Sequence, residues 1–160
     1  MIKIFKNPNC DTRTCDVSKV TKQDLDKNSL QHIQDVQSGL AFLASELHNA
    51  GARHDYTKID FLDSFYNDFR NGFKEGHQDW WNMHRKLERH HLKDAEYVQD
   101  DVNLIDILEM IVDGVMAGLA RTGEYRKEEI SNELLRKAFD NTIDLLLENV
   151  QVIDPVRHLD

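Results

Sequence analysis

Two cysteines, Cys10 and Cys15, are all that this 160-residue chain contains. In a reducing compartment they read as two thiols rather than a structural disulfide, and with no second pair to join them they do not complete a zinc site. Long apolar runs are missing too. No stretch approaches the ~20 apolar residues that cross a bilayer, and the amino terminus lacks the segments of a signal peptide, so the expectation is a cytoplasmic protein with no membrane partner. Basic residues are in deficit: 20 Lys and Arg stand against 29 Asp and Glu, a formal charge of −9. That average field repels a long nucleic acid, though it leaves room for a local basic pocket and a small anion. There is no Gly-rich phosphate loop, no dinucleotide-binding fingerprint and no Gly-x-Ser-x-Gly elbow, which excludes kinase, dehydrogenase and serine-hydrolase readings.

What is present is ordinary globular material, 40% apolar and 31% charged, in a chain long enough to bury a core without a metal to hold it together. After an amino-terminal arm over 1–20, with a turn at Asn7-Pro8-Asn9, the apolar period becomes helical. The first helix begins at Thr21, where Asp24 completes a capping pair. It carries Leu30, Ile33, Val36, Leu40, Leu43 and Leu47 and is expected to stop near Gly51. A second follows Asp55, with Ile59, Leu62, Phe65, Tyr66 and Phe69 on one side. A third spans Gln78 to Leu92, a fourth Val102 to Arg121 with a wide apolar stripe, and a fifth Lys127 to Asn149. The expected fold is all-α, a single bundle of about five main helices over 21–150, with a loop tail over 151–160. Gly114 and Gly118 would admit a close helix neighbour, and a homodimer is compatible with the pattern.

Eight histidines are about twice the usual share, and five of them fall in two short windows beside acids. His54-Asp55 lies at a helix break, where two adjacent side chains can enter one cavity, and Lys58 follows three residues later. His84, His90 and His91 form the second window. On a continuous helix His84 and His91 share a face, with His90 about 100° away, so either of the latter two can serve. Asp106, Glu109 and Asp113 follow at i, i+3 and i+7, placing three carboxylates on one stripe that requires a facing positive charge. Lys58, histidines, arginines or a divalent cation would each answer. Imidazole with carboxylate suits Zn, Mn, Fe, Co or Ni better than Ca. Trp80-Trp81 read as core, and His48, His77 and His158 as surface residues.

The order His32, His54-Asp55, His84 with His90-His91, then Asp113 resembles the HD superfamily of metal-dependent phosphohydrolases, over roughly Leu30 to Arg121. His54-Asp55-Tyr56-Thr57-Lys58 is similar to that family's HDxxK motif, with Thr57 where Gly is usual. The chain is also similar to small HD-like proteins of phages and bacteria. The resemblance implies an HD-like helical fold in which His32, His54, Asp55 and Asp113 bind one metal and Asp55 bridges to a second held by His84 and His90 or His91. It also implies hydrolysis of a nucleotide or other small phosphoester by metal-activated water, with Asp55, Lys58 and Glu109 in the catalytic set. Glu109 is open between ligand, hydrogen-bonding partner and proton-transfer group. Two other readings share this arrangement: an HD-like di-iron oxygenase, and a non-enzymatic metal- or nucleotide-binding accessory protein.

Overall fold

The computed structural model describes residues 1–7, 11–125, 127 and 129–154. The turn at Pro8-Asn9, Cys10 and the tail from Pro155, with His158, lie outside them. The fold is helical, with one small sheet: β1 (Ile2–Phe5), α1 (Lys22–Arg53), α2 (Tyr56–Asp60), α3 (Leu62–Arg70), α4 (Asp79–Leu87), α5 (Leu104–Thr122), α6 (Asn132–Glu148) and β2 (Val150–Ile153). The backbone divides into two compact units, one of Met1–Ser45 with Asp144–Asp160 and one of Glu46–Ile143.

In the first unit β1 and β2 pair in parallel, in register from Ile2 opposite Val150 to Phe5 opposite Ile153. The expected loop tail therefore begins with a strand: Val150, Val152 and Ile153 are β-branched residues that satisfy their backbone groups against the arm. Cys15 is a free, half-buried thiol. α1 opens on the reciprocal pair read from the sequence, Asp24 N donating to Thr21 Oγ1 and Thr21 N to an Asp24 carboxylate oxygen. It ends at Arg53, two residues past Gly51 and so near the expected stop.

The second unit packs around Leu92, Val102, Ile107, Met110 and Ala138, against which Val98, Leu104, Ile130 and Leu134 are laid. The buried stripe of α5 is narrower than its composition suggests: Ile105, Ile107 and Met110 are buried, while Leu108, Ile111 and Leu119 are exposed. An Asn103–Asp106 capping box starts this helix, and Gly123, at φ 72°, ends it in the left-handed conformation that glycine adopts without penalty.

A second layer is aromatic. Trp80 is 1% exposed, lies 4.2 Å from Phe65 between ring centroids, and donates its indole N–H to Thr57 O. The buried Asp68 accepts from Trp81 N and so caps α4 from α3. Trp81 stacks near His84 and lies under the Arg85 guanidinium, so both tryptophans are packing residues. The expected second helix is two, α2 and α3, separated at Phe61. The expected third helix ends early, at Leu87, where Glu88 turns extended at ψ 114°. The two histidines after it therefore stand on a turn.

Candidate metal centre

Two breaks in helix build the site. Between α1 and α2, Asp55 adopts φ 58° and ψ 22°, left-handed backbone that Asp tolerates better than most residues but still at a cost of order 1 kcal/mol. This sharp turn brings His54 and Asp55 forward together, as their place between two helices leads one to expect. After α4, the chain reverses through His91 N to Glu88 O and Leu92 N to His90 O, which folds His90 and His91 back beside His84.

The imidazoles and carboxylates then meet within the second unit. His54 Nε2 stands 3.4 Å from Asp55 Oδ2, and His84 Nε2 and His90 Nε2 stand 3.5 and 3.8 Å from Asp55 Oδ1. Asp113 Oδ1 lies 3.6 Å from His54 Nε2 at the rim. Two ligands about 2.1 Å from one tetrahedral ion stand roughly 3.4 Å apart, so these separations have the spacing of a ligand set. Asp55 Oδ1 is buried and accepts no hydrogen bond, an arrangement that costs free energy unless a cation satisfies it. Among the described residues three groups of ligand atoms lie within 4.8 Å of one another and could hold a metal ion: His84 with His90 and His91, His54 with Asp55 and His90, and Asp55 with His84 and Glu88.

The far nitrogens of these rings are engaged. Glu109 Oε1 lies 2.8 Å from His54 Nδ1 and 3.1 Å from His90 Nδ1. A carboxylate only accepts, so both histidines donate through Nδ1 and turn Nε2 towards Asp55. Burial pushes the Glu109 carboxyl up, but the hydrogen bonds from His90 and His54 outweigh it and hold Glu109 below its ordinary value. Burial likewise pushes His90 down, and Glu109 together with Asp55 and Asp113 more than reverses it, leaving His90 raised. Burial raises Asp55, and Lys58, whose ammonium donates to Asp55 Oδ2, together with His54 and His84 more than offsets it and leaves Asp55 lowered. His84 is pushed down to about 3 by burial and then by His91, and His91 to about 4 by burial and then by His90, so both are neutral near pH 7 and able to ligate.

The residues picked from the sequence are sorted by this geometry. His54, Asp55, His84, His90 and His91 come together, with Lys58, Glu109 and Asp113 beside them. His84 and His91 meet, Nε2 to Nε2 at 2.8 Å, through the chain reversal and not through a shared helix face. His32 stands exposed on α1 in the first unit and enters none of the three groups. Asp106 leaves the expected carboxylate stripe: it pairs with Arg89, Oδ1 to Nε at 2.7 Å and Oδ2 to Nη2 at 2.9 Å, besides closing the α5 capping box. The facing positive charge for that carboxylate is therefore an arginine. Glu88, which the sequence reading did not single out, is 5% exposed and joins the cluster. Its signal was its position one helical turn after His84. His48 and His77 are exposed.

A cavity of about 460 Å³ opens beside the cluster, with His90, His91 and Asp113 in its wall and Tyr97, Gly118 and Arg121 further along. No helix among the described residues is long and apolar enough to cross a membrane. No protein-family model, curated protein or solved structure matches the chain.

Proposed function

We propose that this chain is a metal-dependent phosphohydrolase acting on a nucleotide or other small phosphoester, with one or two divalent transition-metal ions held by His54, Asp55, His84, His90 and His91, and Asp113 at the rim. The observation that carries the reading is the buried, unpartnered Oδ1 of Asp55 facing the Nε2 atoms of His84 and His90. The donor set is imidazole and carboxylate without thiolate, which suits Mn, Fe, Co, Ni or Zn. A divalent cation bound there supplies a water acidified towards neutrality and positive charge for the phosphoryl oxygens.

The remaining work belongs to the chain itself. Lys58, part-buried beside Asp55, is placed to lend a mobile ammonium to a phosphoryl oxygen once Asp55 is otherwise neutralised. Glu109 holds two imidazoles in one tautomer and orientation, so it positions ligands in place of meeting the ester. The neighbouring cavity, within the 300–1,000 Å³ range of small-molecule sites, is large enough for the rest of a mononucleotide-sized ester. The overall charge of −9 supports a small substrate over a polymer.

The test is elemental analysis of purified protein followed by a phosphate-release screen. Nucleoside mono-, di- and triphosphates and simple phosphomonoesters are offered with Mn²⁺, Co²⁺ or Ni²⁺, beside an Asp55→Ala variant. Metal near stoichiometric amounts in the wild type, absent from Asp55→Ala, with release that requires it, is the expected result. Protein that takes up none of these ions sinks the proposal.

A further inference from the structure

Glu88 and Thr57 form a buried pair behind His84. Thr57 is 0% exposed and His84 is 1% exposed, so no water competes for their polar atoms. Thr57 N donates to Glu88 Oε1 at 3.0 Å, and Thr57 Oγ1 lies 2.7 Å from that same oxygen and 2.6 Å from His84 Nδ1. The hydroxyl owns a single proton. Were it given to His84 Nδ1, the hydroxyl and carboxylate oxygens would face each other at 2.7 Å with lone pairs only, inside a dry layer where that repulsion is least screened. The proton therefore goes to Glu88, and Thr57 Oγ1 accepts from His84. Glu88 Oε1 is itself 4.0 Å from His84 Nδ1, and its negative charge favours a proton on that nitrogen.

We infer that Thr57 and Glu88 are positioning residues that lock His84 in the Nδ1–H tautomer and so keep a lone pair on its Nε2, which accepts from His91 Nε2 at 2.8 Å in the metal-free chain and stands 3.5 Å from Asp55 Oδ1, where a metal ion would take it. The inference rests on the metal-centre reading for its consequence, but the tautomer itself is a property of the metal-free chain. The Thr57 hydroxyl is what links Glu88 to His84 Nδ1, which a side chain without one would leave unjoined. The link also makes His84 the third ring aimed through Nδ1, beside His54 and His90 on Glu109, by a separate acid. Trp80 Nε1 donating to Thr57 O at 3.2 Å holds the threonine itself in place.

The experiment is long-range ¹H–¹⁵N correlation of imidazole nitrogens in the metal-free protein, with His84 assigned by comparison with a His84→Gln variant. Wild type, Thr57→Ser and Thr57→Val are compared, and Co²⁺ affinity is then measured for each. Expected are a single Nδ1–H tautomer for His84 in the wild type and in Thr57→Ser, loss of that single state in Thr57→Val, and Co²⁺ affinity lowered 10- to 100-fold in Thr57→Val alone. A His84 carrying its proton on Nε2 in the wild type overturns the inference. So does a Thr57→Val protein with wild-type tautomer and affinity. If Thr57→Val does not fold, the wild-type and Thr57→Ser spectra decide. Should the wild type bind no Co²⁺ while His84 is found as Nδ1–H, the metal-centre reading fails and the tautomer assignment stands.

Discussion

Glu109 concentrates two orienting bonds on one oxygen, and its removal is the sharpest test of how the cluster is held. In Glu109→Gln the side-chain oxygen can still accept from His54 Nδ1 and His90 Nδ1, now at 2.8 and 3.1 Å from Oε1, but without charge. A hydrogen bond to a charged group is worth about 1.5–3 kcal/mol and a neutral one about 0.5–1.5, so each bond loses roughly 1–1.5 kcal/mol. Two bonds make about 2–3 kcal/mol, or roughly 30- to 150-fold in affinity if the loss falls wholly on the metal-bound state. Glu109→Ala removes both acceptors, frees the two rings to rotate and to change tautomer, and is expected to cost roughly 10²- to 10⁴-fold, as two oriented ligands are loosened at once. Competitive titration of Zn²⁺ against a chromophoric chelator, at one pH and with unfolding checked by circular dichroism, reads both. The ordering wild type, Gln, Ala is the signature of a charge-assisted orienting role. If Gln and Ala both bind within threefold of wild type, Glu109 does not orient the ligands through Nδ1.

Other outcomes follow from particular contacts. Arg89→Ala leaves the buried Asp106 without its two-pronged partner; with Arg89 itself about a third exposed, urea unfolding should show a loss of about 2–4 kcal/mol, and metal affinity should fall as well because this pair helps hold the turn that carries His90 and His91, so a loss under about 0.5 kcal/mol refutes this. At Gly118 an added Cβ would meet Glu124 O at 2.8 Å, so Gly118→Ala should lower the melting temperature although alanine is the better helix former; a rise refutes the close approach. In chelator, stability should fall as pH is lowered from 6.5 to 5. His84 and His91, held near 3 and 4 against the 6.5 of a free histidine, take up protons there only in the unfolded chain. The slope approaches about 1.4 kcal/mol per pH unit for each as the unfolded histidines charge, or about 3 kcal/mol in all between pH 6.5 and 5. His90, raised, is fully stabilising below 6.5 and loses its contribution only as pH rises through its own value, so it does not cancel the fall. An unchanged melting temperature between pH 6.5 and 5 counts against the two depressed values.

What could be read in advance depended on whether the deciding partner is near in sequence. The Thr21–Asp24 start of α1 was legible because both capping partners lie three residues apart. His54 and Asp55 were legible as a pair entering one cavity because a helix break needs only the local chain, although what made the break was the left-handed Asp55 and not Gly51. The end of α4 was not legible. Nothing between Glu88 and Leu92 forbids helix; the pull comes from Thr57 on Glu88 and from Asp106 on Arg89, 31 and 17 residues away.

The three acids of α5 make the same point within the site. By spacing, Asp106, Glu109 and Asp113 are equivalent members of one stripe, yet each meets a different group: Arg89, the two Nδ1 atoms of His54 and His90, and the edge of His54 Nε2. Helical period places a carboxylate on a face, and only the charge opposite decides what it does there. Since two of the opposing groups stand on the turn after α4 and a third on the break before α2, the chemistry of α5 is set by where other helices stop. A substitution that extended α4 through His91 would therefore dismantle the cluster without touching one of its ligands: a helix over 88–91 would carry Glu88 off Thr57 and Arg89 off Asp106. Asp55 Oδ1 would then keep His84, which already stands on α4, and lose His90 from beside it.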